Sequence, residues 1–227
     1  MDWIINDFLT ADEIEEVVEY YDQLPYSEEH SGKRNQRKLM HYDLPETPYL
    51  KSVFQPKIEK HFPGGYVSSS TFTEWHKPVN IHTDAWQSHE DKSHKLGITL
   101  LIPLRITPVE AESSTIIFEQ CMPHTFPLTQ IAVPGNKLLK DYVSHCDPSI
   151  MHKKNNSISN EFYNLHLQHI EDQDMLINLS VDRIHKWTIG DAFYWDRNYF
   201  HTSSSFDPKL KTKLHAIFFI TFPAARI

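Results

Sequence analysis

Several features that place proteins in specialised classes are scarce in this sequence. Its 227 residues include only two cysteines, Cys121 and Cys146, which are far apart and form no CxxC pattern. A disulfide framework or a zinc knuckle is therefore not expected, and a reducing compartment, the cytoplasm, is the predicted location. Six glycines stand against fourteen prolines, which indicates many rigid connections between short elements.

Basic charge and long hydrophobic runs are scarce too. The formal net charge is −8, whereas surfaces that bind a phosphate backbone carry an excess of lysine and arginine. The longest apolar stretch, Leu214–Phe222, is too short to span a bilayer. The acidic N-terminal segment lacks the basic region of a secretory signal. We therefore expect neither nucleic acid nor a membrane as a partner.

The N-terminal part of the chain has helical patterns. Thr10 and Glu13 have the spacing of a capping box. The apolar residues after them recur at helical spacing, and Pro25 is expected to end the helix. A second helical pattern spans residues 50–58, where Pro56 is expected to divide the helix.

From residue 66 onward the pattern changes to that of β-strands. The segments are short, rich in β-branched and aromatic residues, and separated by turn signals such as the Gly190-Asp191 pair. Helices followed by many short strands predict a mainly β domain, a sandwich or barrel with the N-terminal helices packed on it. The predicted strands are Tyr66–Trp75, Lys95–Leu104, Thr115–Phe118, Met175–Val181, Asp191–Trp195 and Leu214–Phe222.

Two polar stretches do not fit these patterns. Residues 30–38 are predicted to be an exposed loop. Residues 123–173 are polar and show only a weak helical pattern near Phe162–Ile170. Connections of this length are commonly lids or binding loops. We therefore interpret the chain as a single domain over residues 1–227 with an insertion or lid at 123–173.

The sequence contains fifteen histidines, and histidine is the commonest metal ligand. Residues i and i+2 of a strand face the same side, so a His-x-Asp pair can offer one metal ion an imidazole and a carboxylate. A remote histidine completes a 2-His-1-carboxylate site, which leaves positions on iron open for a cosubstrate and oxygen. The motif alone is weak, because four such pairs occur: His41/Asp43, His82/Asp84, His89/Asp91 and His145/Asp147.

The position of each pair in the chain favours one of them. His82/Asp84 alone follows a strand-like segment and precedes a buried strand, whereas the others lie beside a charged loop, in a polar run, and within the insertion. The third ligand is expected from a later strand, and His201 ends a unit made of a turn and an aromatic strand. His185 and His215 are competing candidates, and an ordinary core histidine is the alternative role for His201.

Taken in order, these motifs resemble those of the Fe(II)/2-oxoglutarate-dependent oxygenases, in particular the prolyl-hydroxylase-like and phytanoyl-hydroxylase-like branches. The resemblance covers most of the chain except the insertion, and the N-terminal DWIINDFLTADE is similar to the strand-then-helix entry of that family. The matching pieces are IHTD at Ile81–Asp84, LLIPL at Leu100–Leu104, SSTIIF at Ser113–Phe118, GDAFYWD at Gly190–Asp196, His201, and a basic residue that opens the last strand.

The resemblance implies a double-stranded β-helix, a jelly-roll of two sheets with the metal at its mouth. It implies Fe(II) held by His82, Asp84 and His201, with 2-oxoglutarate and O2 as cosubstrates. A basic residue after the distal histidine would hold the far carboxylate of 2-oxoglutarate. Lys213 is preferred to Lys211 for this role because it directly precedes the apolar run of the last strand.

The chain departs from the family pattern at the cofactor end. Many members have arginine where this chain has Lys213, and lysine acts as a point charge rather than a fork. His215 stands where many members have a small hydroxyl residue, and Ser113-Ser114 replaces a usual Gly-Gly. Lys213 and His215 are the expected cofactor-binding residues, and a solvated strand-end lysine is the alternative for Lys213.

The resemblance implies an enzyme that couples conversion of 2-oxoglutarate to succinate and CO2 with hydroxylation of a substrate C–H bond. No catalytic residue beyond the metal ligands is expected, and the substrate is a small molecule or a peptide side chain. The alternatives are a non-catalytic, cupin-like jelly-roll that binds a metal or ligand, and a structural protein without a metal. Trp86, Tyr194 and Trp195 are candidates for lining the pocket or for ordinary core positions.

Overall fold

The computed structural model describes residues 3–24, 35–39, 48–84, 97–122, 129–131, 144–146 and 158–223. In this part of the chain two helices alternate with the first strands, and a two-sheet β architecture follows. The prediction of a mainly β domain with N-terminal helices is confirmed. None of the described helices is long and apolar enough to cross a membrane.

Helix α1 (Ala11–Gln23) begins where the sequence predicted. The Thr10 hydroxyl accepts a hydrogen bond from the Glu13 amide at 3.3 Å, and the Glu13 carboxylate accepts one from the Thr10 amide at 2.8 Å. This confirms the capping box, which satisfies two amides that would otherwise lack a partner. Val17 and Tyr21 form the buried face of the helix.

Helix α2 (Pro48–His61) is continuous, so the prediction that Pro56 divides it is wrong. Proline removes one amide from the helical hydrogen-bond ladder. Burial of Phe54 and Ile58 against the sheet offsets that loss, because tertiary packing contributes most of the stability of a helix in a protein.

Six antiparallel strands form the larger sheet, and they are numbered along the chain. Their bounds are Ile4–Ile5 (β1), Asn35–Leu39 (β2), Tyr66–Trp75 (β3), Gly97–Thr107 (β4), Ala192–Asp196 (β9) and Thr212–Thr221 (β11), in the spatial order β1-β9-β4-β11-β3-β2. The predicted loop over residues 30–38 is wrong for residues 35–38, because β2 pairs with β3 there, whereas residues 30–34 lie outside the described residues. An edge strand needs only backbone pairing, so a polar sequence can form it.

The smaller sheet contains Ser114–Cys121 (β5), Val181–Lys186 (β8) and Tyr199–Ser203 (β10), in the order β10-β5-β8. A bridge between residues 82 and 201 and a backbone hydrogen bond from residue 131 to residue 81 continue this layer. They connect it to a short parallel pair made of Thr129–Ile131 (β6) and Ser144–Cys146 (β7).

Alternation along the strands gives the larger sheet two different faces. On one face of β11, four side chains pack under the helices: Leu214, Ala216, Phe218 and Ile220. The side chains on its other face, which include Lys213 and His215, point toward the smaller sheet. Between the sheets, Leu101 and Phe193 pack with Ile117 of β5. Two facing sheets with a core between them form the jelly-roll that was predicted.

The predicted strand Met175–Val181 is wrong. A 3-10 turn occupies Gln173–Leu176, Asn178 has a φ of 64°, and the chain becomes extended only in β8. Leu179 is buried on the outer face of the smaller sheet. The apolar sequence thus correctly indicates that this segment is buried, but its backbone forms turns instead of an extended strand.

The region 123–173 contributes to the core where it is described. Helix α3 (Asn160–Phe162) continues into a π-helical turn at Tyr163–Leu167. This segment covers the outer face of the smaller sheet. Four buried residues of the region share a cluster with β5: Ile131, Cys146, Leu167 and Ile170. The lid role stays a prediction for residues 123–128, 132–143 and 147–157, which lie outside the described residues.

Candidate metal centre

Three side chains converge between the sheets, beside the turn that joins β9 to β10. His82 and Asp84 lie on the segment that pairs with β10, and His201 lies in β10. The His82 amide donates to the His201 carbonyl at 3.0 Å and the His201 amide donates back at 2.9 Å. One ligand atom from each side chain lies within 4.8 Å of the other two. The structure therefore brings together the three residues that the sequence predicted.

The main chain sets the orientation of both imidazoles. His82 Nδ1 lies 2.7 Å from the Asn80 carbonyl oxygen, and His201 Nδ1 lies 3.1 Å from the Tyr199 carbonyl oxygen. Because a carbonyl only accepts, each Nδ1 carries the proton and each Nε2 keeps its lone pair. These Nε2 atoms lie 3.7 and 3.3 Å from the Asp84 carboxylate. The donor set suits a divalent first-row metal.

Asp84 is held as an anion by its surroundings. Thr99 Oγ1 donates to Asp84 Oδ2 at 2.8 Å, and the Asp84 amide donates to the Arg197 carbonyl at 2.9 Å. Burial alone would raise the pKa of this carboxyl. When His201 and His82 are protonated, their charges, the hydrogen bond from Thr99 and the charge of Arg197 together outweigh burial and lower the pKa of Asp84. The carboxylate is therefore available to bind a cation.

The competing His-x-Asp pairs lie wholly or partly outside the described residues. His41/Asp43 and His89/Asp91 fall outside entirely, and of the third pair only the backbone of His145 is described. Within the described ranges, His82, Asp84 and His201 form the one group of His, Cys and acidic side chains close enough to share a metal ion.

Lys213 is completely buried, and its ammonium group lies in an aromatic enclosure. Nζ donates to Ser113 Oγ at 2.9 Å and lies 4.2 Å from the centre of the Trp187 ring. The rings of Trp75 and Phe206 are each 5.2 Å away. Burial lowers the pKa of Lys213 to about 7, and no described carboxylate opposes that effect.

A buried cation without an acidic partner is costly to the fold. Such a group in an enclosed space is a candidate anion-binding residue. Lys211 differs, because its side chain is exposed and its backbone amide donates to the Thr107 carbonyl. The geometry therefore favours Lys213 over Lys211 as the partner of a buried anion.

The two competing histidines lie elsewhere. His215 is fully buried, and its ring meets the edges of Trp75 and Trp187 at 4.9 and 5.3 Å. It thus lines the aromatic enclosure. His185 lies in β8 and stacks on Phe193 at 4.9 Å, and burial lowers its pKa to about 4. Neither belongs to the group of candidate metal ligands formed by His82, Asp84 and His201.

The three candidate pocket aromatics have different positions. Trp195 is buried beside His201, with their ring centres 4.8 Å apart. Tyr194 points toward the helices, where it meets Phe62 at 5.0 Å. Trp86 lies outside the described residues. Of the two that are described, only Trp195 lies against a metal ligand.

Two residues near the cluster were not singled out by sequence reasoning. Thr99 occupies the same face of β4 as Leu101, so strand alternation could have identified it. Arg197 follows β9 in a turn, where no periodic pattern assigns a direction to a side chain. Ser113 was noted only as a departure from the family pattern, and its contact with Lys213 gives that departure a role.

Comparisons with known proteins support the fold. No protein-family model matches the chain, and no curated protein sequence matches it. Its structure is similar to that of SnoN, a non-heme alpha-ketoglutarate-dependent epimerase from nogalamycin biosynthesis, with a TM-score of 0.56 over 96% of this chain and 77% of that one, at 13% identity. HygX from Streptomyces hygroscopicus, with nickel and 2-oxoglutarate bound, has a TM-score of 0.50 over 97% and 82%, at 10% identity.

A third neighbour is SnoK, a non-heme alpha-ketoglutarate-dependent carbocyclase from nogalamycin biosynthesis, with a TM-score of 0.50 over 96% of this chain and 79% of that one, at 14% identity. At these identities the likeness concerns the fold. Together with the clustered side chains, it shows that this chain has the double-stranded β-helix fold of the Fe(II)/2-oxoglutarate-dependent oxygenases and carries a candidate facial triad of His82, Asp84 and His201.

Proposed function

We propose that this protein is an Fe(II)- and 2-oxoglutarate-dependent dioxygenase that hydroxylates a C–H bond of a small-molecule or peptide substrate, with succinate and CO2 as co-products. One observation carries the proposal. The space between the sheets holds both a two-histidine, one-carboxylate cluster and a buried lysine that no described carboxylate neutralises. The first suits a metal ion and the second suits an organic diacid.

The donor set supports Fe(II) as the metal. Two imidazoles and one carboxylate on one side of an ion are typical of non-haem Fe(II) oxygenases, and they leave the opposite positions open. His82 and His201 present Nε2 with its lone pair, because main-chain carbonyls hold the proton on Nδ1. Bound iron with 2-oxoglutarate would supply the activation of O2 that C–H hydroxylation requires.

Lys213 and His215 form the proposed 2-oxoglutarate end of the site. The Lys213 ammonium would pair with the far carboxylate, and the Ser113 hydroxyl, which already contacts Nζ, would add a hydrogen bond. The indoles of Trp75 and Trp187 pack against both cofactor-binding residues. They exclude water, and the lower local dielectric constant strengthens an ion pair at this position.

A small molecule is the favoured substrate class. Nogalamycin RO is bound to SnoN in one structure, and hygromycin B is bound to HygX in another. Those neighbours include an epimerase and a carbocyclase, so product analysis distinguishes hydroxylation from other outcomes on this fold. A cytoplasmic location and the lack of a nucleic-acid partner remain predictions from composition.

The proposal is tested by adding Fe(II) and 2-oxoglutarate to the protein without oxygen. We expect a visible metal-to-ligand charge-transfer band, followed under air by loss of 2-oxoglutarate and formation of succinate. His82→Ala should abolish the band. The matched controls His89→Ala and His145→Ala belong to competing His-x-Asp pairs and should keep it.

Each result has a defined meaning. If neither the band nor 2-oxoglutarate consumption occurs, the proposal is wrong. A band without consumption under air would favour the cupin-like binding module. Loss of the band in a folded His145→Ala protein would move the metal site to another pair.

A further inference from the structure

Arg197 lies in the turn between β9 and β10 and crosses the inner face of the larger sheet. Its guanidinium carbon lies 4.7 Å from the centre of the Phe219 ring on β11, and Nη2 donates to Ser68 Oγ on β3 at 3.2 Å. The side chain passes over Gly97 on β4, where an added Cβ would lie 2.8 Å from Arg197 Cδ. The lack of a side chain at Gly97 therefore permits this path.

This path brings the guanidinium close enough to Asp84 for the two charges to interact. Phe219, which the guanidinium covers, is the cross-strand partner of Thr99, and Thr99 donates to Asp84. The Arg197 carbonyl also accepts the Asp84 amide. The arginine is thus tied to a metal-binding residue by its backbone, and it extends from there over the inner face of the sheet.

The guanidinium is only partly satisfied by the described residues. Nε is buried and has no described hydrogen-bond partner. The acceptor that Nη2 does contact is the neutral hydroxyl of Ser68. A buried donor left without a partner is costly to the fold, so the site suits a hydrogen-bond acceptor that a bound ligand supplies.

We propose that Arg197 binds a carboxylate of the substrate, which makes the substrate a carboxylic acid. This inference rests on the proposed function and names its substrate class. A guanidinium offers a planar fork of donors that pairs with a carboxylate through two parallel hydrogen bonds. The unpartnered Nε supplies one of those donors.

The charges of the site favour a single carboxylate over a phosphate monoester. Fe(II), Asp84, dianionic 2-oxoglutarate and protonated Lys213 together sum to zero. Arg197 adds one positive charge. The charges of Asp84 and Asp196 act on it, but neither forms an ion pair with it among the described residues, so one carboxylate can still pair with the guanidinium. A phosphate dianion would leave an unbalanced negative charge in a partly buried site, and burying unpaired charge is strongly unfavourable.

The test compares acids with their neutral amides. The probes are N-acetyl-L-amino acids and simple aliphatic and aromatic monocarboxylates, each paired with its primary amide. They are titrated into the protein loaded with Fe(II) and 2-oxoglutarate without oxygen, and binding is read from the melting temperature and by calorimetry. Wild type should bind at least one acid about tenfold more tightly than its amide, because a hydrogen bond to a charged group is worth that factor or more.

Three variants examine the role of the guanidinium. Arg197→Met should weaken binding of that acid about 10- to 100-fold and leave its amide unaffected. Gly97→Ala keeps the charge but displaces the side chain, so acid binding should weaken in the same direction. The control is Arg105→Lys, whose side chain pairs with Asp22 on the helical face of the sheet and should keep the acid preference.

The charge-transfer band separates the two proposals. If wild type forms no band, the proposed function fails. If the band forms but amides bind as tightly as acids, or no acid raises the melting temperature, the inference about Arg197 is overturned alone. It is also overturned if Arg197→Met keeps the acid preference, or if it abolishes the band, since Arg197 would then be a positioning residue for Asp84.

Discussion

Replacing Lys213 with methionine separates two effects of this buried cation: the destabilisation of the fold and the proposed binding of 2-oxoglutarate. The ammonium group is fully buried against a hydroxyl and three aromatic rings, so folding removes its water without an ion pair in return. Its pKa falls from 10.5 to about 7. That lowering corresponds to about 5 kcal/mol of unfolding free energy lost at acidic pH. Methionine removes the penalty, so the unliganded variant should be more stable than wild type.

The stability difference depends on pH in a definite direction. The unfolded lysine keeps its proton up to pH values near 10.5, whereas the folded lysine loses it near 7. Wild-type stability therefore rises with pH between these values, because the unfolded state binds more protons. The advantage of Lys213→Met should shrink from about 5 kcal/mol near pH 6 to about 2 kcal/mol near pH 9. Urea unfolding of both proteins without cofactors measures this difference.

Binding of 2-oxoglutarate should change in the opposite direction. Removing one member of a buried charge pair costs about 2–5 kcal/mol, so the Kd should rise at least about 30-fold. Titration of the charge-transfer band gives this value. Lys211→Met is the matched control and should change the Kd by less than about twofold, since surface substitutions have small effects. A stable Lys213→Met protein with wild-type affinity would refute the reasoning.

Two further substitutions test the metal centre and its scaffold. Thr99→Val removes the hydrogen bond to Asp84 and should weaken metal affinity about 10- to 100-fold. Metal titration measures this, and an unchanged affinity would contradict the role given to Thr99. Gly190→Ala should lower the unfolding free energy by about 1–3 kcal/mol, because Gly190 has a φ of 87° and a Cβ would lie 2.8 Å from Ile14 Cδ1. Denaturant unfolding measures it, and equal stability would contradict the strain argument.

Two of the three candidate metal ligands could be predicted from local rules. Strand alternation places His82 and Asp84 on one face, and the flanking strand patterns distinguish them from the other three pairs. The assignment of His201 required long-range information, because no local pattern shows that β10 lies beside residue 82. The order of motifs in a known family supplied that long-range information. The preference for Lys213 over Lys211 came from its position before the apolar run.

Arg197 and the region before β8 could not be predicted, for physical reasons. The path of Arg197 depends on which strand lies next to which, and on the space above Gly97, neither of which is encoded near residue 197. The apolar run Met175–Val181 has the composition of a strand. Its backbone turns at Asn178, and Leu179 is buried through contacts with a distant sheet. Tertiary packing decided the conformation in both places.

Main-chain carbonyls orient the two imidazoles. The geometry of the candidate metal ligands therefore does not depend on which side chains surround them. A substitution at Asn80 or Tyr199 changes a side chain but leaves the carbonyl that fixes the histidine tautomer. Natural variation or a designed library at these positions can therefore alter the surroundings of the metal without misdirecting its ligands. A fold with this property can acquire new substrates by many small steps, because the steps that change recognition need not damage the chemistry.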